Sequence, residues 1–330
     1  MVRTLSGNLS VIKVELAGSP LRNLNCYVYQ TPERNLLIDT GFRTPECLAD
    51  LQRGIAELCL DMSKTDVLAT HLHADHSGLI DKILAPGCKV YMGEVDKALW
   101  EDNMRGDEQY WGGIMRQYAQ EGFPLPLAVT AVEHNPARVF ASKAAIELTP
   151  LRDGQILEVG DIRLECIHTP GHTPGHICLY NPADKSMILG DHVLFDITPN
   201  ITSWPTLRNS LKSYLESLHK IRAYSVSLPL PGHRECHLSM DQRIEQLMAH
   251  HDRRLKETLS IVNEHPEISA YDVAGYMTWS VRAKNWDEFP LVQKWFAMGE
   301  TLAHLYYLEE QGAIRREILN DRALYTVTSQ

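Results

Sequence analysis

The chain has 330 residues, of which 44% are hydrophobic, 22% charged and 8% aromatic, the profile of a folded globular protein large enough for one large or two modest domains. That balance excludes disorder, collagen-like repeats and fibres. Lys plus Arg number 32 against 42 Asp plus Glu, so the formal net charge is -10, opposite in sign to what a nucleic-acid duplex or an anionic membrane surface attracts.

Residues 1–20 contain no unbroken apolar run ending in small residues, and no stretch of about eighteen consecutive apolar residues occurs anywhere. Neither an export leader nor a membrane span is expected, and the expected location is cytoplasmic. Seven cysteines (Cys26, Cys47, Cys59, Cys88, Cys166, Cys178, Cys236) are scattered without CxxC pairs, which reads as reduced packing cysteine.

In chain order, residues 9–16, 25–30 and 35–39 alternate β-prone residues with turn signals and read as strands of one sheet. From Pro45 the apolar residues Leu48, Leu51, Ile55 and Leu58 share one helical face. Residues 65–70 form a short apolar strand that ends in a histidine-rich turn, and 78–83 resume a helical pattern. Residues 94–149 are aromatic, with Trp100, Tyr110, Trp111, Tyr118 and Phe123, and read as a helical insertion with a small core of its own. Strands are expected again at 162–167, 176–180 and 186–189, and a helix at 207–221. Beyond residue 235 the pattern turns helical over 239–263, 269–277 and 292–311, and closes with a hairpin of 313–319 and 323–327. The expected organisation is an α/β unit over 1–238 and a small, mostly helical, winged-helix-like unit over 239–330.

The strongest chemical signal is Thr70-His71-Leu72-His73-Ala74-Asp75-His76, an HxHxDH cluster placed after a strand. Three imidazoles and a carboxylate in six residues are costly to bury unless they are paired or bind metal. His71 and His73 can address one ion while Asp75 and His76 address a neighbouring position, and nitrogen plus carboxylate donors suit zinc, iron or manganese. Three further strand ends carry donors: Thr169-Pro170-Gly171-His172-Thr173, Leu189-Gly190-Asp191-His192 and Leu230-Pro231-Gly232-His233. Loops at strand ends are where α/β folds build their sites.

HxHxDH, TPGHT, LGD and PGH in that order resemble the metallo-β-lactamase-fold hydrolases, especially the glyoxalase II-like branch, over about residues 8–235. The resemblance implies an αββα sandwich with a dinuclear metal site at one edge. By match of motif His71, His73 and His172 would hold one divalent ion and Asp75, His76 and His233 a second, with Asp191 bridging them and zinc the first choice of metal. Asp39, in Leu37-Ile38-Asp39-Thr40-Gly41, matches an acid that supports ligands without being one. His192, beside Asp191, is expected to point away from the ions, and His176 to pack around the ligand set.

The implied reaction is hydrolysis of a small ester or thioester by a hydroxide bridging the two ions, with Asp75 as the catalytic proton carrier. The insertion falls between the HxHxDH and TPGHT loops, which makes it a candidate lid with Tyr110 and Trp111 as candidate substrate contacts. The 239–330 segment carries 10 basic against 14 acidic residues, so a nucleic-acid-reading role is disfavoured and an interface role, including homodimer formation, is preferred. A phosphodiesterase or single-strand ribonuclease is the alternative reading, and an iron-bearing persulfide dioxygenase a further one. A non-catalytic regulator whose wing binds DNA is the weakest.

Overall fold

The computed structural model describes residues 1–105 and 107–328. Strands β1 (Val2–Ser6), β2 (Leu9–Glu15), β3 (Asn23–Gln30), β4 (Asn35–Ile38), β5 (Thr65–Leu68), β6 (Val90–Gly93) and β7 (Leu148–Leu151) form a seven-stranded sheet in sequential order. The first four are an antiparallel meander, and β4 to β7 run parallel. Strands β8 (Ile156–Val159), β9 (Ile162–His168), β10 (Ile177–Asn181), β11 (Ser186–Gly190) and β12 (Leu228–Pro231) make a second sheet in the order β12-β11-β10-β9-β8, antiparallel except for β11 with β12.

Among the described residues eleven α-helices accompany them: α1 (Pro45–Glu57), α2 (Ala74–Ser77), α3 (Ile80–Ile83), α4 (Glu94–Arg105), α5 (Asp107–Gln120), α6 (Leu125–Glu133), α7 (Pro136–Val139), α8 (Ser210–Ile221), α9 (Met240–Glu264), α10 (Ala270–Tyr276) and α11 (Leu291–Glu310). A hairpin of β13 (Ile314–Leu319) and β14 (Arg322–Val327) closes the chain.

The two-residue period of the strands builds the layers. In the first sheet Val11, Tyr27, Tyr29, Leu36, Ile38 and Leu68 face inward onto Leu164, Cys166, Ile177, Leu179 and Ile188 of the second. Their neighbours Ile12, Val14, Cys26, Val28, Leu37 and Val67 turn outward under α1 and α3, meeting Leu51, Ile80 and Ile83. On the second sheet Ile167, Cys178, Met187 and Leu189 pack outward against Leu211, Tyr214 and Leu218 of α8 and Ile244 and Leu247 of α9. This is the αββα sandwich, with mixed sheets and helices outside. Thr44 caps α1 by accepting from the Cys47 amide, and Pro45 opens that helix at a position where no amide is needed.

Most expected elements fall within a residue or two of the observed ones, but four strands lie outside the expectation. β6 and β7 have only four residues each, too few for a period to show, and β7 carries Pro150. β1 is exposed or half-buried throughout, and only two residues of β8 are buried.

The insertion also differs from expectation: it has no core of its own. Trp111, Tyr118, Phe123, Ala128 and Val132 share one apolar cluster with Val262 of α9, Val273 of α10, Trp295, Met298 and Leu302 of α11 and Tyr325 of β14. Glu121, fully buried, fastens this union. It accepts from Tyr306 Oη at 2.9 Å, Tyr325 Oη at 2.8 Å and Arg316 Nε at 2.9 Å. A buried carboxylate survives only when its oxygens are saturated in this way. Glu121→Ala strands the Arg316 charge and two phenols, and is expected to lower unfolding free energy by about 3 kcal/mol. A urea midpoint unchanged from wild type would show that the contact is unimportant.

Candidate metal centre

The candidate ligands outside α2 and their supporting acid Asp39 sit just beyond strand C-terminal ends: Asp39 after β4, His71 and His73 after β5, His172 after β9, Asp191 after β11 and His233 after β12. The HxHxDH turn is in part helical. The single turn α2 starts at His73 and delivers Asp75 and His76 together, with the His76 amide on the His73 carbonyl at 3.1 Å.

Two clusters result. His71 Nε2 and His172 Nε2 lie 3.1 and 3.0 Å from His73 Nδ1, so three ring nitrogens converge on one point. His76 Nε2 is 3.2 Å from His233 Nε2, and both face Asp75 Oδ2, at 3.7 and 3.3 Å. Asp191 lies between the clusters. Its Oδ1 is 3.4 Å from His76 Nε2 and 3.3 Å from His233 Nε2, while Oδ2 is 3.6 Å from His172 Nε2. The donor atoms of His71, His73 and His172, of Asp75, His76 and His233, and of His71, His76 and Asp191 each lie within 4.8 Å of one another.

The rear of each ring is held. His172 Nδ1 donates to the Asn200 carbonyl and His233 Nδ1 to the Asn23 carbonyl, both at 2.8 Å, which leaves each Nε2 lone pair free to face the cluster. Asp39 meets His76 Nδ1 at 2.8 Å and accepts from the Thr70 amide at 2.8 Å, while Thr70 Oγ1 contacts His71 Nδ1 at 3.1 Å. Asp39 thus holds the His76 ring from the side away from the cluster.

The donor set fits bound metal on three observations. Asp191 Oδ1 is buried without a hydrogen-bond partner. Nitrogen faces nitrogen at 3.0–3.2 Å in both clusters. Asp39, Asp75 and Asp191 are buried together, and among the described residues only histidines form ion pairs with them. The electrostatics reflect this asymmetry. Burial lowers the His233 imidazole, but Asp191 and Asp75 outweigh it and hold the ring up at about 9. At His73 burial dominates, aided by His172, and drives the ring down to about 3.

Glycine is required at two strand ends. Gly190 has φ +48°, and a Cβ there would lie 2.6 Å from His176 Nε2. A Cβ on Gly232 would lie 2.7 Å from Asp191 Oδ1. His176 stays outside the clusters: its Nε2 accepts from the Asp191 amide at 3.2 Å and so orients that residue. His192 points away, its ring against Tyr214 at 5.2 Å.

Asp96, in the first turn of α4, is a candidate positioning residue that the sequence does not single out. It is fully buried and ties the two histidine loops of the first cluster together, accepting from the Leu72 amide at 3.0 Å, Thr173 Oγ1 at 2.6 Å and the Gly175 amide at 2.5 Å. An acid in a helix's first turn reads as an ordinary helix start, so only the spatial neighbours give it away. Trp111, expected in a substrate cleft, is 6% exposed within the shared apolar core, and Tyr110 is half-buried edge-on to it at 5.5 Å. The indole that does meet the centre is Trp204, stacked on His73 at 5.9 Å.

A sandwich with strand-end histidines and carboxylates at one edge is the architecture of a metal-binding hydrolase class, and the comparisons agree. The sequence matches the metallo-beta-lactamase superfamily over residues 20–233 and the metallo-beta-lactamase-like C-terminal domain over 255–325, so the chain belongs to the metallo-beta-lactamase superfamily. Its fold is similar to that of a metallo-beta-lactamase family protein from Thermus thermophilus, at 29% identity and TM-score 0.81 over 98% of this chain and 100% of that one. A Bacillus subtilis protein named probable metallo-hydrolase YqjP is 25% identical over 84% of this chain and 85% of its own length. An atrochrysone carboxyl ACP thioesterase of Emericella nidulans is 23% identical over 76% of this chain and 63% of its own length. The chain spans 66% and 60% of the length of the lactamase-like relatives from Emericella nidulans and Pestalotiopsis fici.

Two substitutions separate the clusters. Asp96→Ala is expected to weaken uptake of one divalent ion by about 10–100-fold while the other is retained. Gly232→Ala, which drives a methyl into Asp191 Oδ1, is expected to weaken both. Metal titration with zinc or cobalt reads the difference, and equal stoichiometry and affinity in all three proteins would refute both assignments.

Proposed function

We propose that this chain is a dinuclear metal-dependent hydrolase of a small ester or thioester, close in chemistry to the glyoxalase II-like branch. The observation that carries the reading is Asp191, whose two carboxylate oxygens face two different clusters of donors. In this reading His71, His73 and His172 hold one ion, Asp75, His76 and His233 the other, and Asp191 bridges. Two divalent ions, zinc first and iron or manganese as alternatives, would supply an activated water near neutral pH and a positive field for the oxyanion.

The chain's own groups do the rest. Asp75 turns Oδ2 to His233 and His76, which leaves Oδ1 to accept the nucleophile's proton and return it to the leaving group. Asp39 and the carbonyls of Asn23 and Asn200 keep the rings from rotating as charge develops. Burial of every ligand except the half-buried His73 limits competing water and strengthens each interaction. The thioesterase name of the fungal relative supports an acyl substrate.

A nucleic-acid substrate is opposed by the C-terminal segment, taken as residues 239–330. Three helices and a hairpin have the order of a winged helix, but α11, which would enter a groove, buries Lys294, Trp295, Met298, Leu302 and Leu305 in the molecule's core. We read the segment as a support for the catalytic unit of residues 1–238, working with a small-molecule substrate in the cytoplasm.

The test is thiol release from a panel of glutathione and acyl-CoA thioesters by zinc-replete protein beside a chelated control. Release abolished by chelation is expected, and Asp75→Ala is expected to keep the fold while losing about 10²–10⁴-fold in turnover and part of the metal. Absence of release from fully loaded protein would refute the acyl reading and direct the search to phosphodiesters, or to oxygen uptake by iron-loaded protein.

A further inference from the structure

Residues 199–204 follow the loop that begins at Asp191 and touch the first cluster three times. The Asn200 carbonyl accepts from His172 Nδ1 at 2.8 Å, and Trp204 Nε1 donates to the His172 carbonyl at 3.1 Å. The Trp204 ring lies on the His73 ring, centroids 5.9 Å apart and planes at 27°. One short segment therefore selects the ring proton of His172, anchors its backbone and limits rotation of His73.

The other side of that segment rests on the C-terminal helix. The Ser203 amide donates to the Gly299 carbonyl at 3.3 Å. Gly299 stands near the middle of α11, where glycine is among the poorest helix formers. Its presence has a steric reason: a Cβ there would overlap Thr202 Oγ1 and lie 2.7 Å from Tyr118 Oη. Tyr118 cannot yield easily, because its ring stacks on Trp295 at 4.2 Å. By contrast His71 and His76 take their support from Thr70 and Asp39, which belong to the strand ends themselves.

We propose that residues 200–204, seated on Gly299, position His73 and His172, so that helix α11 of the C-terminal segment sets the affinity of the first cluster for its ion. Asn200, Trp204 and Gly299 are positioning residues in this scheme. The inference rests on reading His71, His73 and His172 as the ligands of one ion. It gives the C-terminal segment a role in the chemistry that needs no contact between that segment and the substrate.

The experiment is a cobalt titration of full-length wild type, Gly299→Ala, Trp204→Ala and Trp204→Phe, followed by visible absorption and paired with thermal melting. Wild type is expected to take two ions. Gly299→Ala and Trp204→Ala are expected to weaken one of them by about 10–100-fold, the same one lost in His172→Ala, with the second unchanged. Trp204→Phe keeps the stacked ring without the donor and should fall between. Adding Thr202→Ala to Gly299→Ala removes the atom most overlapped and should recover part of the loss, which a general defect of the helix would not do. Variants that bind both ions as wild type does would overturn the proposal. So would an equal loss of both ions that tracks a fall in melting temperature. A wild-type chain that takes up no cobalt would overturn the ligand reading, and this inference with it, and is told apart from the other outcomes by the wild-type titration alone.

Discussion

Burial of Asp39, Asp75 and Asp191 beside five imidazoles, with no lysine or arginine paired to them among the described residues, is the constraint around which this molecule is organised. Ionised carboxylates in such a place cost several kcal/mol each unless something positive or donating compensates. Asp39 is satisfied by the chain, through the Thr70 amide and hydroxyl and the His76 ring. Asp191 is not, since Oδ1 has no hydrogen-bond partner although it lies among ring nitrogens. Two acids that look alike in the sequence therefore differ in their surroundings: one is satisfied by the protein and holds a ring, the other keeps an oxygen without a hydrogen-bond partner.

That demand explains much of the backbone around the centre. Four strand ends must bring side chains together without their own Cβ atoms colliding. Gly190 and Gly232 are two positions where the approach is close, against His176 and against Asp191 itself. Gly175 and Gly93 do the same where α4 meets the TPGHT loop, and the closeness they allow is what brings Asp96 within reach of Leu72, Thr173 and Gly175. The glycines that mark loops in the motifs are sites of close packing, and their cost in chain entropy is offset by the fixed geometry they permit.

The ligand candidates are legible in the sequence because they are local: HxHxDH, TPGHT, LGD and PGH each place donors within a few residues of a strand end. The inward and outward faces of the longer strands are legible for the same reason, through period-two alternation. What is not legible depends on contacts between distant segments. Asp96 lies 23 residues beyond His73, and Trp204 lies 32 residues beyond His172. Trp204 sits in a loop with no periodicity, and nothing in the order of residues says that its indole lies on an imidazole. Gly299 is a poor helix former in the middle of α11, and its reason lies in Thr202, nearly a hundred residues away in the chain, which a Cβ there would overlap. The insertion reads correctly as helical, but an apolar face read from sequence does not name the face it meets, and here that face belongs to α9, α10 and α11.

The resulting architecture has its chemistry at one edge and its support on the far side of a long connection. Between β11 and α8 the chain runs from Asp191 to Asn209 without a regular strand or helix, and such a segment has few backbone partners of its own. It is fixed from outside instead: Arg243 of α9 donates to the carbonyls of Leu194 and Ile197 at 2.5 and 2.8 Å, and α11 receives Ser203. A loop that carries one candidate ligand at its start and contacts two others further along needs such external anchors, because a misplacement of about 1 Å is enough to spoil a preorganised centre. The C-terminal helices supply them, and α11 is itself packed against the insertion through one apolar cluster. The segment that looks in sequence like an appended module is in this respect the back wall of the metal centre.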